Sequence, residues 1–147
     1  MHANTQDFQV FYKAVGVAGG ALTAGGAGDA VEVTSDAVDR DGFDSAQLLF
    51  TGRTTCAAGQ TLKATVKLAE SEDGTAFGAD ETLATDETVV TGGAAPQSFC
   101  FRVDLRVANR KRFLRLKVTP DLSAVGADTA QWGAALVLGG ADEFPVR

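Results

Sequence analysis

The stretch "RVANRKRFLRLKVTP" holds Arg106, Arg110, Lys111, Arg112, Arg115 and Lys117, in a chain whose formal net charge is -6. Guanidinium and ammonium groups at this density attract phosphates and carboxylates. A nucleic-acid surface would need a broadly basic domain with stacking rings among the cations. Here Phe113 is the one ring within the run, and the chain as a whole is acidic. Two readings of the run remain. Arg115 and Lys117 alternate with Leu114, Leu116 and Val118, as on a strand with a solvated outer face. Alternatively, the cations steer an acidic protein partner into register.

Catalytic chemistry finds little to work with. The one histidine, His2, stands at an end where chains fray, so no Ser-His-Asp arrangement is expected. Aspartates and glutamates are scattered through turns, and no two of them are singled out as an acid/base pair. The glycine-rich stretch lacks the terminal Gly-Lys-Ser/Thr of a phosphate loop. Cys56 and Cys100 are the only cysteines, too few for a tetrahedral zinc site. Whether they form a disulfide stays open, because its geometry is not legible in a sequence. "DAVDRDGFDS" superficially matches a calcium loop through Asp39, Asp41 and Gly42. In that alignment the two end positions fall on Ala37 and Leu48, which carry no oxygen ligand, so an Asp/Gly turn is expected instead. The expectation is a chain that is not an enzyme and holds no cofactor or metal. A carbohydrate-binding sandwich is a rival, but Tyr12 and Trp132 are the only Tyr and Trp available as sugar platforms. Trp132 shares its alternation with Ala134, Leu136 and Leu138, which places it in a core.

The elements that must carry these residues read as strands. "FQVFYKA" (8–14) is aromatic and β-branched. "GVAGGALTAGGAGD" has six glycines among alanines and reads as a flexible connection or arm. "AVEVTS" is a short strand, "VDRDGFDS" a turn-rich loop and "AQLLFTG" a buried strand. "RTTCAAG" then turns the chain. In "QTLKATVKLAES", Leu62, Ala64, Val66 and Leu68 point one way and Lys63, Thr65, Lys67 and Ala69 the other. Asp73-Gly74 marks a tight turn, and "ETLATDETVVTG" is a weaker strand. "SFCFRVDL" sets Phe99, Phe101, Val103 and Leu105 against Cys100, Arg102 and Asp104. "AQWGAALVLGG" is the last strand.

No segment keeps a helical period. The expected fold is all-β: an antiparallel sandwich or barrel, jelly-roll-like, of about seven or eight strands with little helix. A length of 147 residues suits one domain, read as an N-terminal strand and Gly/Ala-rich arm (1–28) followed by the sandwich (29–147). No apolar run approaches the roughly 20 residues of a spanning helix, and no membrane partner is expected. "MHANTQDF" has neither a basic nor an apolar signal region, which suggests a reducing compartment.

Three stretches, "VDRDGFDSAQLLFTG", "VKLAESEDGTAF" and "RFLRLKVTPDLSAVGADTAQWGAALVLGGADEFP", occur here in sequence. Their order and spacing resemble a family of small proteins from tailed bacteriophages and prophages, the head decoration or capsid cement proteins. The resemblance runs from about Val38 onward. It implies a virion structural protein made in the host bacterial cytoplasm and carried on the capsid exterior. Its implied partner is the major capsid protein, and it implies a homo-oligomer, a trimer being favoured. Nucleic acid is not an implied partner. A tail component is the remaining rival. On this reading two regions contact capsid subunits or sister copies: the N-terminal segment with Phe8, Val10, Phe11 and Tyr12, and the basic set Arg102, Arg106, Arg110, Lys111, Arg112, Arg115 and Lys117.

Overall fold

The computed structural model describes residues 12–93, 95–123 and 126–141. Nine strands follow one another: β1 (Lys13–Thr23), β2 (Val33–Thr34), β3 (Val38–Asp39), β4 (Phe43–Thr55), β5 (Thr61–Ser71), β6 (Glu81–Thr91), β7 (Gln97–Arg106), β8 (Phe113–Leu122) and β9 (Thr129–Ala141). They form two antiparallel sheets. The first runs β1-β9-β4-β7; the second runs β2-β8-β5-β6, with β3 also on β8. Both sheets are open, so the sandwich expectation holds and the barrel alternative does not. Seven strands are long, and β2 and β3 are two-residue pieces on one side of β8. There is no helix among the described residues.

The sheets form because alternation gives each one apolar face that must leave water. In β5, Leu62, Ala64, Val66 and Leu68 are buried as expected, and β8 answers with Leu114, Leu116 and Val118. From the other sheet come Leu48 and Phe50 of β4 and Trp132, Leu136 and Leu138 of β9. Phe50 lies 5.2 Å from the rings of both Phe99 and Trp132, a tilted aromatic cluster at the core's centre. Room for that cluster comes from Gly52, opposite Phe99 on one side and Trp132 on the other. A Cβ there would meet the Phe99 ring at 2.8 Å and the Trp132 Cα at 2.9 Å.

Some readings of the sequence are corrected. Gly16 to Thr23 is no flexible arm; it is most of β1, paired to β9 from Lys13↔Leu138 to Thr23↔Thr129 with a bulge between Gly16 and Ala18. The glycines serve close approach. A Cβ on Gly19 would sit 3.2 Å from the Trp132 carbonyl oxygen, and one on Gly20 would sit 3.6 Å from the indole nitrogen. Only the turn that follows, around Gly25 and Gly28, has the left-handed backbone that the glycine content suggested. "RTTCAAG" also differs: Arg53–Thr55 extend β4 and the turn comes after them.

Several buried polar groups near the sandwich's ends are satisfied, whereas the Gln97 Oε1 and the Arg115 Nε are buried without a hydrogen-bond partner among the described residues. Thr54 donates to the Thr129 carbonyl at 2.9 Å, and the Ser35 hydroxyl accepts the Leu116 N–H at 3.0 Å. The Asp128 carboxylate accepts the Ala57 N–H at 3.1 Å. Cys56 is buried and Cys100 exposed, and both are free thiols. Burial, with the Asp128 carboxylate beside it, pushes the Cys56 thiol up.

Candidate interaction surfaces

The basic set is not one patch. Arg102 and Arg106 alternate with Cys100 and Asp104 on the exposed face of β7, the outer face of the first sheet. Arg115 and Lys117 point outward from β8, on the second sheet, across the sandwich. Arg110, Lys111 and Arg112 lie in the loop between β7 and β8. Tyr12 begins the described chain beside β9, where a Cβ on Gly139 would meet its ring at 3.0 Å. Phe8, Val10 and Phe11 lie outside the described residues.

On the second sheet Lys67 and Lys117 are neutralised by carboxylates beside them. Lys67 and Lys117 stand directly opposite each other, which by itself is unfavourable. Glu32 bridges the two, at 3.0 Å and 3.4 Å, and Asp80 takes Lys117 at 2.7 Å. The hydrogen bond from Lys67 is the main reason the Glu32 carboxyl sits below its usual range, and the one to Asp80 leads in raising Lys117. Arg115 stacks its guanidinium 4.0 Å above the Phe77 ring centroid. Phe77 comes from the β5–β6 loop, which folds back over this face. Its Gly78 N–H reaches the Glu70 carbonyl at 3.0 Å. A knot at Asp73 fixes the loop: one carboxylate oxygen accepts the Ser71 hydroxyl and the Thr75 and Ala76 N–H groups, at 2.8 to 2.9 Å. Those backbone donors, Ala76 first, hold the Asp73 carboxyl far below the carboxylate range.

The β7–β8 loop is braced in the same way. Arg110 spans Glu70 at 2.5 Å and Glu81 at 2.6 Å, tying the loop to β5 and β6. Glu81, then Glu70, keep this guanidinium firmly protonated, and Arg110 in turn lowers Glu81. Arg112 grips Asp39 of β3, at 2.7 Å for its shortest bond, and pulls that carboxyl below its usual range. Asp39 also accepts the Asp41 N–H at 3.0 Å, so this stretch is an Asp turn with Gly42 at positive φ. Arg40 donates to the carbonyls of Arg110 and Lys111, closing the brace from the neighbouring turn.

One end of the sandwich is therefore rigid and presents specific side chains. Lys111 is exposed, and among the described residues its ammonium has no carboxylate partner. Arg106, at the end of β7, is likewise exposed and without one. The Val107 and Ala108 N–H groups bond the Asp44 carbonyl, which draws this end towards Ser45, Gly139 and Tyr12. Arg110, Arg112, Arg115 and Lys117 hold the fold, while Lys111, Arg102, Arg106 and Tyr12 face outward. Sequence reasoning missed Arg40 and the acceptors Asp39, Glu70 and Glu81. Their partners lie 29 to 73 residues away along the chain, beyond any local signal. The sugar-platform rival loses its indole, since Trp132 is 7 % exposed inside the core.

No family model matches the chain, and no curated protein matches it. Solved structures do. VP2 of infectious bursal disease virus, solved as a subviral particle, is similar with a TM-score of 0.50 at 13% identity, covering 89% of this chain and 32% of VP2. The T=1 particles derived from the same virus give 0.49 at 14% identity, over 91% of this chain and 32% of that one. The chain thus spans about a third of the length of these neighbours. At such identity, the first of these likenesses establishes a shared fold: a β-sandwich of the kind found within a protein of a viral particle.

Proposed function

We propose that this chain is a virion structural protein: a head decoration protein of a tailed bacteriophage or prophage. It seats on the outside of the shell and braces contacts between major capsid protein subunits, with no reaction centre of its own. The observation that carries this reading is the fold, shared with a protein solved as a viral particle. The family resemblance of the three stretches from Val38 onward points the same way. The loop end fits the task in mechanical terms. A clamp gains from contact groups that are already ordered, because association then costs less side-chain and loop entropy. Arg110, Arg112 and Arg40 supply that order, and Lys111, with no carboxylate partner among the described residues, is placed to meet one on the shell. Many copies each gripping two subunits make individually weak contacts strong together.

The experiment is co-sedimentation of the purified chain with shells that lack it, followed by thermal challenge of the coated particles. Binding to heads with a raised disruption temperature is expected. Lys111→Glu should lower occupancy while leaving the chain's own melting curve unchanged. A chain that stays in the supernatant with shells, or is recovered on purified tails, would overturn the reading.

A further inference from the structure

The first sheet has a small-residue, apolar field on its outer face as well, across β1, β9 and the middle of β4. Its inner face is the core. Its outer face carries Ala14, Gly16, Gly19 and Ala21 on β1, Gly133, Ala135 and Val137 on β9, and Leu49 and Thr51 on β4. Gln47 and Arg53 on β4, Gln131 on β9 and Arg102, Asp104 and Arg106 on β7 border this field; its middle carries no charge, unlike the ion-paired, loop-covered outer face of the second sheet. An antiparallel sheet that ends at water normally alternates apolar-in with polar-out, and one that is apolar on both sides is covered on both.

We propose that the outer face of the β1-β9-β4-β7 sheet is a two-fold self-interface, covered by the same face of a second copy. Three features favour a second copy as the occupant. The first is size. Four strands at ~4.8 Å spacing and about ten residues long at ~3.4 Å rise project roughly 650 Å². A standard stable interface takes about 800 Å² from each partner, so the face is near the right size without help from loops.

The second is shape. β7 at one edge is tall, with Cys100, Arg102, Asp104 and Arg106; β1 at the other edge is low, with alanines and glycines. A two-fold axis running along the strands lays the tall edge of each copy over the low edge of the other. Sheets stack face to face at about 10 Å when their side chains interdigitate in this manner. The third is polarity. Arg102 has no carboxylate partner among the described residues. Among the described strands β1 is an edge, with β9 as its one neighbour in the sheet, so part of its backbone has no described strand beside it. The axis brings that guanidinium over peptide groups laid bare by Gly16 and Gly19, where carbonyl oxygens accept hydrogen bonds.

The test is sedimentation equilibrium of the full chain from ~1 to ~200 μM, a span that brackets micromolar association. The expected result is a concentration-dependent rise from 15.2 kDa towards twice that mass. Ala135 stands between Gly16 and Leu49 at the centre of the face. Ala135→Arg should weaken association at least ~10-fold, with far-UV circular dichroism and melting temperature kept. A second measurement needs no mutation. Cys100 is exposed on this face whereas Cys56 is buried, so a bulky maleimide marks Cys100 selectively. Labelling should slow as concentration rises, and the labelled chain should sediment as a monomer. A mass of 15.2 kDa across the whole range, or a labelled chain that dimerises like the unlabelled one, would overturn the proposal.

Discussion

Arg110 and Arg112 are two residues apart and do different work. Arg110 is 19% exposed and joins two carboxylates from two strands; Arg112 is 52% exposed and meets Asp39 at the surface. A half-buried charge with several charge-assisted bonds is worth more than a solvated pair, and its loss leaves Glu70 facing the loop without a cation. Arg110→Met should cost about 1–2 kcal/mol of unfolding free energy in urea titration. Arg112→Ala should leave the midpoint close to the parent's. Equal effects would mean the brace does not depend on burial. The same contrast explains why a run of cations was visible in the sequence and its roles were not. Residue type shows the charge, but only the fold brings Glu70 and Glu81 to Arg110.

Among the elements, β5, β7 and β8 were legible because large apolar side chains alternate with polar ones, a contrast that survives in any antiparallel sandwich; β9 was legible as an apolar run that places Trp132, Ala134, Leu136 and Leu138 on one face. β1 was not, because Ala and Gly carry too little contrast to show a period of two. Its place in the sheet depends on Trp132 across the ladder, more than 100 residues away. β4 was under-read at both ends for a related reason: Gly52 looks like a stop, yet it lies within the strand, facing the aromatic cluster. Gly52→Ala should therefore destabilise by about 3 kcal/mol through overpacking against Phe99 and the β9 backbone. Gly16→Ala, where an added Cβ meets nothing within 4 Å, should leave stability near the parent's. Thermal denaturation of the two variants side by side checks the contrast.

At the level of the whole molecule, the ion pairs set an acid limit. Glu32, Asp39 and Glu81 all titrate below their usual values, chiefly through bonds from Lys67, Arg112 and Arg110. The folded chain then binds fewer protons than the unfolded chain just below the ordinary carboxylate range, so stability rises with pH there. Their contribution is complete above roughly pH 4.5 and drains away as pH falls through the lowered folded values. Asp121 works the other way: burial and the nearby Asp29 and Asp86 raise it, so acidification relieves that strain first. Urea midpoints should hold from pH 7 to about 5 and fall below about 4; a midpoint still flat at pH 3 would contradict the pairing.

The order β1-β9-β4-β7 also bears on how the chain comes into being. Among the described strands, β1 has a single neighbour in its sheet, and that neighbour is β9, the ninth. During synthesis β1 stays without this ladder until β9 has been made. Closing the sheet pairs residues more than 100 positions apart, which favours slow folding. Shortening the chain within β9 would orphan its beginning as surely as its end.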